Sequence, residues 1–157
     1  KQVIKNKNHN LHVFGNNKKA FTKFGINKKN VFFYGFVDDN IFYEKISNFD
    51  IALIPVGLSG SLSKFEYETI FPTRLIPILL VGIPFIAHVP KESFLFKFLN
   101  KNEIGCIVVE KSEKSIAEQI NNLKNNYKLR KKLSEQSIKV SKNFYASKIL
   151  KIINSYL

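Results

Sequence analysis

The chain has 157 residues, of which 45% are hydrophobic and 13% aromatic, enough to form the core of one domain. Its formal net charge is +13, and no apolar run approaches the ~20 residues that a membrane-spanning helix needs. The only cysteine, Cys106, excludes a disulfide within the chain and fits a reducing cytoplasm. The sequence starts with Lys1 and contains no methionine, so we expect a piece of a longer or processed protein.

The basic excess comes almost wholly from lysine, because only Arg74 and Arg130 among the 25 basic residues are arginine. Such a charge suits nucleic acid, an anionic membrane or a phosphorylated ligand, but a composition rich in lysine and asparagine produces it without any partner. Lysine is a strongly hydrated point charge and is less suited than arginine to reading bases. The scarcity of arginine draws attention to Arg74.

The first half of the sequence alternates short apolar runs with helical patterns. Buried strands are predicted at residues 11–14, 31–34 and 51–54, and helices at 18–24 and 40–47. Asp38 and Asp39 suit the start of the second helix, where carboxylates accept hydrogen bonds from free N–H groups. Residues 56–70 have no clear periodicity and are predicted to form a long loop, which in a compact domain is usually functional or mobile.

The stretch 68–90 is the one around which the rest of the sequence is organised. It predicts a helix over 75–81 that ends at Gly82, followed by a strand over 85–87. The helix is preceded by Phe71-Pro72-Thr73-Arg74. The Thr73 hydroxyl, the Arg74 guanidinium and the free N–H groups of the helix start are expected to face one point. That arrangement predicts an anion site, most naturally for phosphate.

The last third of the sequence is predicted to be mostly helical, with a helix at 91–100, a strand at 106–109 and three helices after residue 112. Ser112 and Ser115 compete as the cap of the first of these three, and Ser115 with Glu118 has the spacing of a capping box. The final helix has apolar residues at 149, 150, 153 and 157. The exposed side of all three helices is mostly Lys, Asn, Ser and Glu, which is typical of a solvated face.

The predicted strands are continuously apolar rather than alternating, so both of their faces are expected to be buried. Together with the regular alternation of strands and helices, this pattern favours right-handed crossovers between parallel strands. We therefore predict an α/β fold: a single Rossmann-like domain with a parallel sheet of about five strands, flanking helices and a helical C-terminus.

Ligands of open parallel sheets bind beyond the carboxyl ends of the strands. The residues that follow the predicted strands there are Gly15-Asn16, Gly35-Phe36-Val37, Pro55-Val56-Gly57 and His88-Val89. Thr73 and Arg74 should lie on the same edge, because their helix follows the exit loop of the third strand. Taken together, these positions favour a nucleotide diphosphate as the ligand.

The other chemistry-bearing residues form no familiar constellation. His9, His12 and His88 lack metal-ligand spacing, so no metal site is predicted. His12 lies in an apolar strand and is expected to be a packed or edge residue, whereas Cys106 lies in an apolar run and is expected to be part of the core. Glu66 and Glu68 are the only carboxylates near the proposed site, where they are either catalytic candidates or solvated loop residues.

The order of these parts resembles the C-terminal, nucleotide-sugar-binding half of GT-B-fold glycosyltransferases of group 1, or family 4. The matching pieces, which cover nearly the whole chain, are LHVFGNN, VFFYGFVDD, IALIP after Asp50, FPTRLIPILLVGIPFIA, EIGCIVV and NNYKLRKKLSEQSIKVSKNF. The most specific piece is Pro72-Thr73-Arg74-Leu75 followed by Gly82-Ile83-Pro84-Phe85-Ile86-Ala87, because members of the family have Pro-Ser/Thr-Lys/Arg-Leu and Gly-x-Pro-Val-Ile-Ala there.

The resemblance implies roles for individual residues. The donor diphosphate would be held by Thr73 and Arg74, next to Leu75, and the base would lie beside Phe36 and Val37. Gly15, next to Asn16, would let the backbone approach the donor. The loop from Gly57 to Ser63 would cover the phosphates or the sugar. The substrate implied is a nucleotide-diphosphate sugar, with no further cofactor.

Two departures from the family pattern matter. The family commonly places a glutamate five residues before the helix-ending glycine, where it binds the ribose hydroxyls. Here that position is Pro77, whose side chain forms no hydrogen bond and which is also expected to loosen the helix. By the same resemblance, we expect the N-terminal half, which binds the acceptor and usually supplies the catalytic base, and the first strand–helix unit of this half to be missing from this sequence. The chain alone is therefore expected to be inactive, and its catalytic residue is unknown.

Our leading hypothesis is the donor-binding domain, over residues 1–157, of a cytoplasmic glycosyltransferase that makes polysaccharide or modifies a glycan or lipid. The acceptor would reach it through the missing N-terminal domain, at the inner face of an anionic membrane if the contact is peripheral. The alternative is a non-catalytic α/β module that binds a nucleotide or, through its lysine faces, a membrane surface. Specific nucleic-acid binding is disfavoured, because the phenylalanines mostly occupy core-like positions.

Overall fold

The computed structural model describes residues 9–15, 29–56 and 63–156 of the chain. These residues fall into two compact units, Lys1–Lys45 and Ile46–Leu157. The helix predicted at 18–24 lies outside the described residues.

In the first unit, strands β1 (Leu11–Phe14) and β2 (Val31–Gly35) form a parallel pair in which Leu11 faces Val31. The pair is held by stacked rings across the strands, since the ring of His12 lies 4.9 Å from that of Phe32 and the rings of Phe14 and Tyr34 are also 4.9 Å apart. The His12 ring also forms a 2.8 Å hydrogen bond with the Tyr34 hydroxyl. Burial, and then the charge of Lys45, lower the pKa of His12, which favours the neutral packed ring that the sequence predicted.

Helix α1 (Asp39–Ile46) follows the second strand and begins one residue earlier than predicted. Phe42 and Ile46 of this helix are buried, whereas Ile41 is 42% exposed. The ring of Phe42 meets that of Phe14 edge to face, at a centroid distance of 5.0 Å. The α1 helix thereby packs against the stacked rings of the two-stranded sheet.

In the second unit, strands β3 (Ala52–Pro55), β4 (Phe85–His88) and β5 (Cys106–Val108) form a parallel sheet in the order β3-β4-β5. Phe85, Ile86 and Ala87 of the central strand are all 0% exposed. Successive residues of a strand point to opposite faces, so both faces of β4 are covered. The five predicted strands thus form with parallel pairing, in a two-stranded and a three-stranded sheet within the described parts of the chain.

Six helices surround this second sheet or follow it. They are α2 (Lys64–Thr69), α3 (Leu75–Val81), α4 (Phe94–Asn102), α5 (Glu113–Asn125), α6 (Tyr127–Ser141) and, after a 3-10 turn at Lys142–Phe144, α7 (Ala146–Asn154). Side chains of the sheet and of α5 and α6 share one core of Ile86, Val108, Leu123 and Leu133, against which Cys106 packs. The predicted core position of Cys106 is therefore confirmed.

The helix α2 was not expected, because the sequence predicted one loop over 56–70. The Ser63 hydroxyl accepts a 3.3 Å hydrogen bond from the backbone N–H of Glu66, and the Glu66 carboxylate accepts a 2.7 Å bond from the N–H of Ser63. These two bonds form a capping box, which satisfies the first N–H groups of a helix reciprocally. The Ser-x-x-Glu spacing at 63–66 is the signal in the sequence that predicts it.

The start of α5 corrects a second expectation. Ser112 is the cap, since its hydroxyl accepts a 3.2 Å bond from the N–H of Ser115, so Ser115 lies inside the helix. Ser115 and Glu118 do not form a capping box, and the Glu118 carboxylate instead lies 3.9 Å from the Lys114 ammonium. At the other end of α5, the Arg130 guanidinium donates to the carbonyls of Leu123 and Lys124. Arg130 therefore has a structural role, as a cap for the last carbonyls of a helix.

The last helix differs from α1 and from α3 to α6 in its burial. No side chain of α7 is buried, although four of its nine residues are Ile or Leu. The prediction that the exposed side of the C-terminal helices is polar therefore fails for this helix, whose apolar side is exposed as well. Among the helices that the structure describes, none combines the length and the apolar character that crossing a bilayer requires.

Candidate functional site

The carboxyl edge of the three-stranded sheet is well aligned. Pro55 pairs with His88, which pairs with Val108, so the three strands end at the same level. The alignment continues one residue further, where Val56 donates a 3.0 Å bond to the carbonyl of His88. The ring of His88 lies on this edge too, with its Nε2 atom 2.9 Å from the carbonyl oxygen of Glu110.

The segment Phe71-Pro72-Thr73-Arg74 lies toward this edge. Helix α3 leads from β3 to β4, and only Gly82-Ile83-Pro84 separate its end from the start of β4. Its C-terminal end is therefore at the amino edge of the sheet and its N-terminal end toward the carboxyl edge. An independent contact agrees, since the ring of Phe71 lies 6.1 Å from that of Phe94, the first residue of the helix that follows β4.

Phe71 anchors this segment to the rest of the unit. Its ring packs edge to face against Phe98, at 5.3 Å, and stacks on Phe144, at 5.7 Å. Two rings of α4 and one ring of the 3-10 turn therefore hold Phe71, the residue just before Pro72. Nothing in the sequence distinguishes Phe71 from its many aromatic neighbours, so its positioning role was not predicted.

The turn into α3 corrects one expectation about the anion site. The backbone N–H groups of Leu75 and Ile76 donate to the carbonyls of Pro72 and Thr73, at 2.9 and 3.0 Å. These two donors are therefore satisfied within the turn and do not face a ligand. The side chain of Leu75 is 0% exposed and packs in the core, whereas Thr73 and Arg74 are exposed. Of the two arginines, Arg74 is thus the one on the surface at this edge, since Arg130 caps α5.

Pro77 does not loosen helix α3, contrary to expectation. It is the third residue of the helix, and the carbonyl four residues before it, that of Thr73, already accepts from Ile76. A proline in the first turn therefore removes no helical hydrogen bond. The helix runs on to Val81 and ends as predicted at Gly82, whose φ of 74° is the left-handed conformation and whose N–H donates to the carbonyl of Ile78 at 3.0 Å.

In the first unit, Gly15 and Gly35 meet at the carboxyl end of the two-stranded sheet. The N–H of Gly15 donates a 2.7 Å bond to the carbonyl of Gly35, and both residues have positive φ, 119° and 68°. Apart from the adjoining residues, no atom of the described ranges lies within 4 Å of where a Cβ would stand at either position. Phe36 beyond them is 74% exposed, and Val37 is half-buried. Asn16 and Gly57, two further predicted site residues, lie outside the described residues.

The two predicted carboxylates are both held by α2. The backbone N–H of Ser63, and then its hydroxyl, hold the pKa of Glu66 below its usual range, which fits an ionised acceptor in the capping box. Glu68 is exposed, and its carboxylate lies 3.7 Å from the Lys64 ammonium. Both side chains have a local helical role, and any part in catalysis stays a prediction.

The remaining candidates for chemistry are few. No group of three or more His, Cys, Asp or Glu side chains that could hold a metal ion was found in the described ranges. Burial raises the pKa of the Cys106 thiol, which makes it a poor nucleophile at neutral pH. Some phenylalanines are less core-like than predicted, since Phe36, Phe65 and Phe94 are 74%, 72% and 48% exposed.

Comparison with known proteins gives this geometry a context. A family model described as Glycosyl transferases group 1 matches residues 1–140. Among solved structures, the C-terminal domain of a glycosyl transferase group 1 family protein (LpcC) from Francisella tularensis is 20% identical, with a TM-score of 0.54. The match covers 82% of this chain and 60% of that one, so the chain spans about three fifths of its length. A search of curated proteins found no match. The chain belongs to the group 1 glycosyltransferases, and it has the Rossmann-like α/β fold of a GT-B C-terminal domain.

Proposed function

We propose that this chain is the donor-binding half of a glycosyltransferase and that it binds a nucleotide-diphosphate sugar at the Pro72–Arg74 turn. The observation that carries the proposal is the turn itself, which presents Thr73 and Arg74 to solvent at the carboxyl edge of a parallel sheet. Membership of a glycosyltransferase family makes a sugar donor the natural occupant of such an edge. The acceptor, a glycan or lipid, is proposed to be held by a separate domain.

The chemistry at the turn would be electrostatic. When the bond between the sugar and the diphosphate breaks, negative charge develops on the departing phosphate oxygens. The guanidinium of Arg74 donates charge-assisted hydrogen bonds to such oxygens, and the hydroxyl of Thr73 donates a neutral one. A group that binds the developing charge better than the ground state lowers the barrier to transfer. Arg74 is therefore proposed to assist both donor binding and transfer.

We propose further that Gly57, after β3, adjoins the phosphates of the donor. For the first unit, described by itself, we propose that Gly15, Asn16, Phe36 and Val37 suit contacts with a base and sugar. The space that the described residues leave around Gly15 and the exposed ring of Phe36 support the proposal, because a ligand can approach both. Pro77 supplies no hydrogen bond to the ribose, so the ribose hydroxyls would be bound by other groups or by water.

Calorimetry with uridine, guanosine and cytidine diphosphate sugars, on the protein with its acceptor-binding half, tests this proposal. We expect Arg74→Ala to weaken binding of the accepted donor by ~1.5–3 kcal/mol, the magnitude of a charge-assisted hydrogen bond. Arg130→Ala is the matched control, because it removes the same charge from a residue that contacts the carbonyls at the end of α5 and the ring of Tyr127. It should lower stability and leave donor affinity unchanged.

Two results would overturn the proposal. One is the absence of binding heat for every donor of the panel. The other is an equal loss of affinity in the two arginine variants, which would mean that Arg74 acts only through the net charge of the chain.

A second candidate function is a nucleotide-binding module without transferase activity. Pro77 in the place of a ribose-binding glutamate favours it, and so does the engagement of Glu66 in a capping box. Release of nucleoside diphosphate from the bound donor separates the two functions. A protein that binds a donor but never releases the diphosphate, with glycan or lipid acceptors supplied, would be the binding module.

A further inference from the structure

The last residue of β4, His88, has a ring whose two nitrogens have different roles. The Nε2 atom lies 2.9 Å from the carbonyl oxygen of Glu110. A carbonyl oxygen only accepts hydrogen bonds, so Nε2 carries the proton of this bond. In the neutral ring the other nitrogen, Nδ1, is therefore an acceptor. Within the ranges that the structure describes, no group donates a hydrogen bond to it.

The backbone around His88 fixes the position of this ring. The carbonyl of His88 accepts a 3.0 Å bond from the N–H of Val56, and the next residue, Val89, is 0% exposed. The carbonyl of Glu110 also accepts a 2.8 Å bond from the N–H of Ser112, the cap of α5. An acceptor that a strand and a helix cap hold in place is preorganised for a ligand, because little freedom is lost on binding.

The chemistry of a nucleotide sugar limits what can pair with Nδ1. The ionised diphosphate, proposed to bind at Arg74, presents only acceptors and cannot donate to a neutral ring. The ribose and the transferred sugar are the two parts joined directly to the diphosphate, and both carry hydroxyl groups. The ends of β4 and of the turn before α3 lie at the same edge of one unit, so a hydroxyl next to the phosphates is the nearest donor for His88.

We propose that Nδ1 of His88 accepts a hydrogen bond from a hydroxyl group of the nucleotide sugar. This inference rests on the proposed function, and it makes His88 a residue that determines specificity. A site that binds a substrate hydroxyl in this way discriminates against an analogue without it, because the acceptor of the protein then loses its partner. The half-buried position of His88 increases that penalty.

Two substitutions separate the roles of the two ring nitrogens. In His88→Gln the side-chain amide group stands in for Nε2 and keeps a donor for the Glu110 carbonyl, but the acceptor at Nδ1 is lost. In His88→Asn the side-chain oxygen stands in for Nδ1, and the bond to Glu110 is lost instead. Thermal unfolding should therefore show the larger loss of stability in His88→Asn.

Binding of the nucleotide sugar should show the opposite order. Calorimetry on the protein with its acceptor-binding half uses the accepted member of the uridine, guanosine and cytidine diphosphate sugars. The measurement is made at about pH 8, where histidine side chains are mostly neutral. We expect His88→Gln to weaken binding about fivefold, the effect of one lost neutral hydrogen bond, and His88→Asn to keep most of the affinity.

Deoxy analogues of the same nucleotide sugar identify the hydroxyl group. One set lacks a hydroxyl of the ribose, and the other lacks the hydroxyls of the transferred sugar one at a time. We expect one analogue to bind the unaltered protein about fivefold more weakly, but to bind His88→Gln as well as the parent compound does. The two changes remove the same bond, so their effects do not add. The set that contains this analogue shows which ring His88 contacts.

Unchanged affinity in His88→Gln, while Arg74→Ala still weakens binding, would overturn this inference and leave the proposed function intact. A larger loss of affinity in His88→Asn than in His88→Gln would do the same, because the ring would then only hold Glu110. A loss in His88→Gln that no deoxy analogue reproduces would place the bond on the base and contradict the assignment. Absence of binding to every nucleotide sugar would overturn the proposed function and this inference together.

Discussion

Helices α3 and α7 are both short and rich in Ile and Leu, yet they have opposite surroundings. Leu75 and Leu79 of α3 are 0% exposed, whereas α7 has no buried residue. Neither helix is long enough to be stable by itself in water, so each depends on what it contacts. The α3 helix packs against α6 within the unit, and α7 meets chiefly the 3-10 turn before it. Apolar content therefore determines that a helix has a face to bury, and the surrounding chain determines whether it is buried.

The largest expected effect contrasts one leucine from each helix. Leu79→Ala should lower the free energy of unfolding by about 2–5 kcal/mol, because it leaves a cavity in a packed core. Leu150→Ala removes the same atoms from a side chain that is 57% exposed, and should change it by no more than ~0.5 kcal/mol. Urea unfolding of both variants measures the difference. Similar losses would mean that α7 is packed as firmly as α3.

An intermediate effect on stability is expected from substitutions at the C-terminal ends of α3 and α7. The α3 helix ends at Gly82 with φ of 74°, where a Cβ would stand 2.7 Å from the Cδ1 atom of Ile138. Gly82→Ala should cost about 1–2 kcal/mol for the left-handed conformation, plus the displacement of Ile138. The α7 helix ends at Ser155 in the ordinary helical conformation, so Ser155→Ala should change stability by less than ~0.5 kcal/mol.

The double variant Gly82→Ala with Ile138→Ala isolates the conformational cost. Removing most of the Ile138 side chain leaves the Ser134 Oγ atom, at 3.0 Å, as the remaining close neighbour of the new methyl group. In that background Gly82→Ala should therefore cost little more than the left-handed part. If Gly82→Ala is as harmless as Ser155→Ala in thermal unfolding, the glycine is not what fixes the end of the buried helix.

The smallest expected effect concerns a left-handed residue that ends a helix but is exposed and is not glycine. Glu103 caps α4 with φ of 52°, the same left-handed conformation, without being glycine. Glu103→Gly should therefore stabilise the protein, by about 0.5–1 kcal/mol in chemical denaturation. It also removes a 3.9 Å ion pair with Lys132, which is exposed and contributes little. Lys132→Ala is the control, since it breaks the pair without touching the backbone, and a destabilised Glu103→Gly would contradict the argument.

The sequence predicted both ends of α3 correctly, because its boundary signals are strong. An apolar run lies between Arg74 and Gly82-Ile83-Pro84, which ends the helix. It did not predict α2, whose six residues have no apolar periodicity and whose helix signal is a single capping-box spacing. It placed the cap of α5 at either of two serines, because Ser112 and Ser115 have the same chemistry. Only the register of the helix on its core decides between them.

The same limit applies to the candidate site and to α7. The parallel-sheet rule was enough to place Thr73 and Arg74 at the carboxyl edge. The anchoring of Phe71 was not predictable, because it depends on rings 23, 27 and 73 residues further along the chain. Periodicity predicted the apolar face of α7 but not its exposure. An amphipathic pattern shows that a helix has an apolar face, but it does not show which residues cover that face.

The sheet order β3-β4-β5 is also the order of these strands in the sequence. Each strand therefore pairs with the one that left the ribosome before it, and no strand has to insert between two partners already in place. The helix between two strands emerges before the second of them, so it is available to cover the growing sheet. This unit can assemble from its first strand onward during synthesis, which limits the time for which its apolar strand edges are open to other chains.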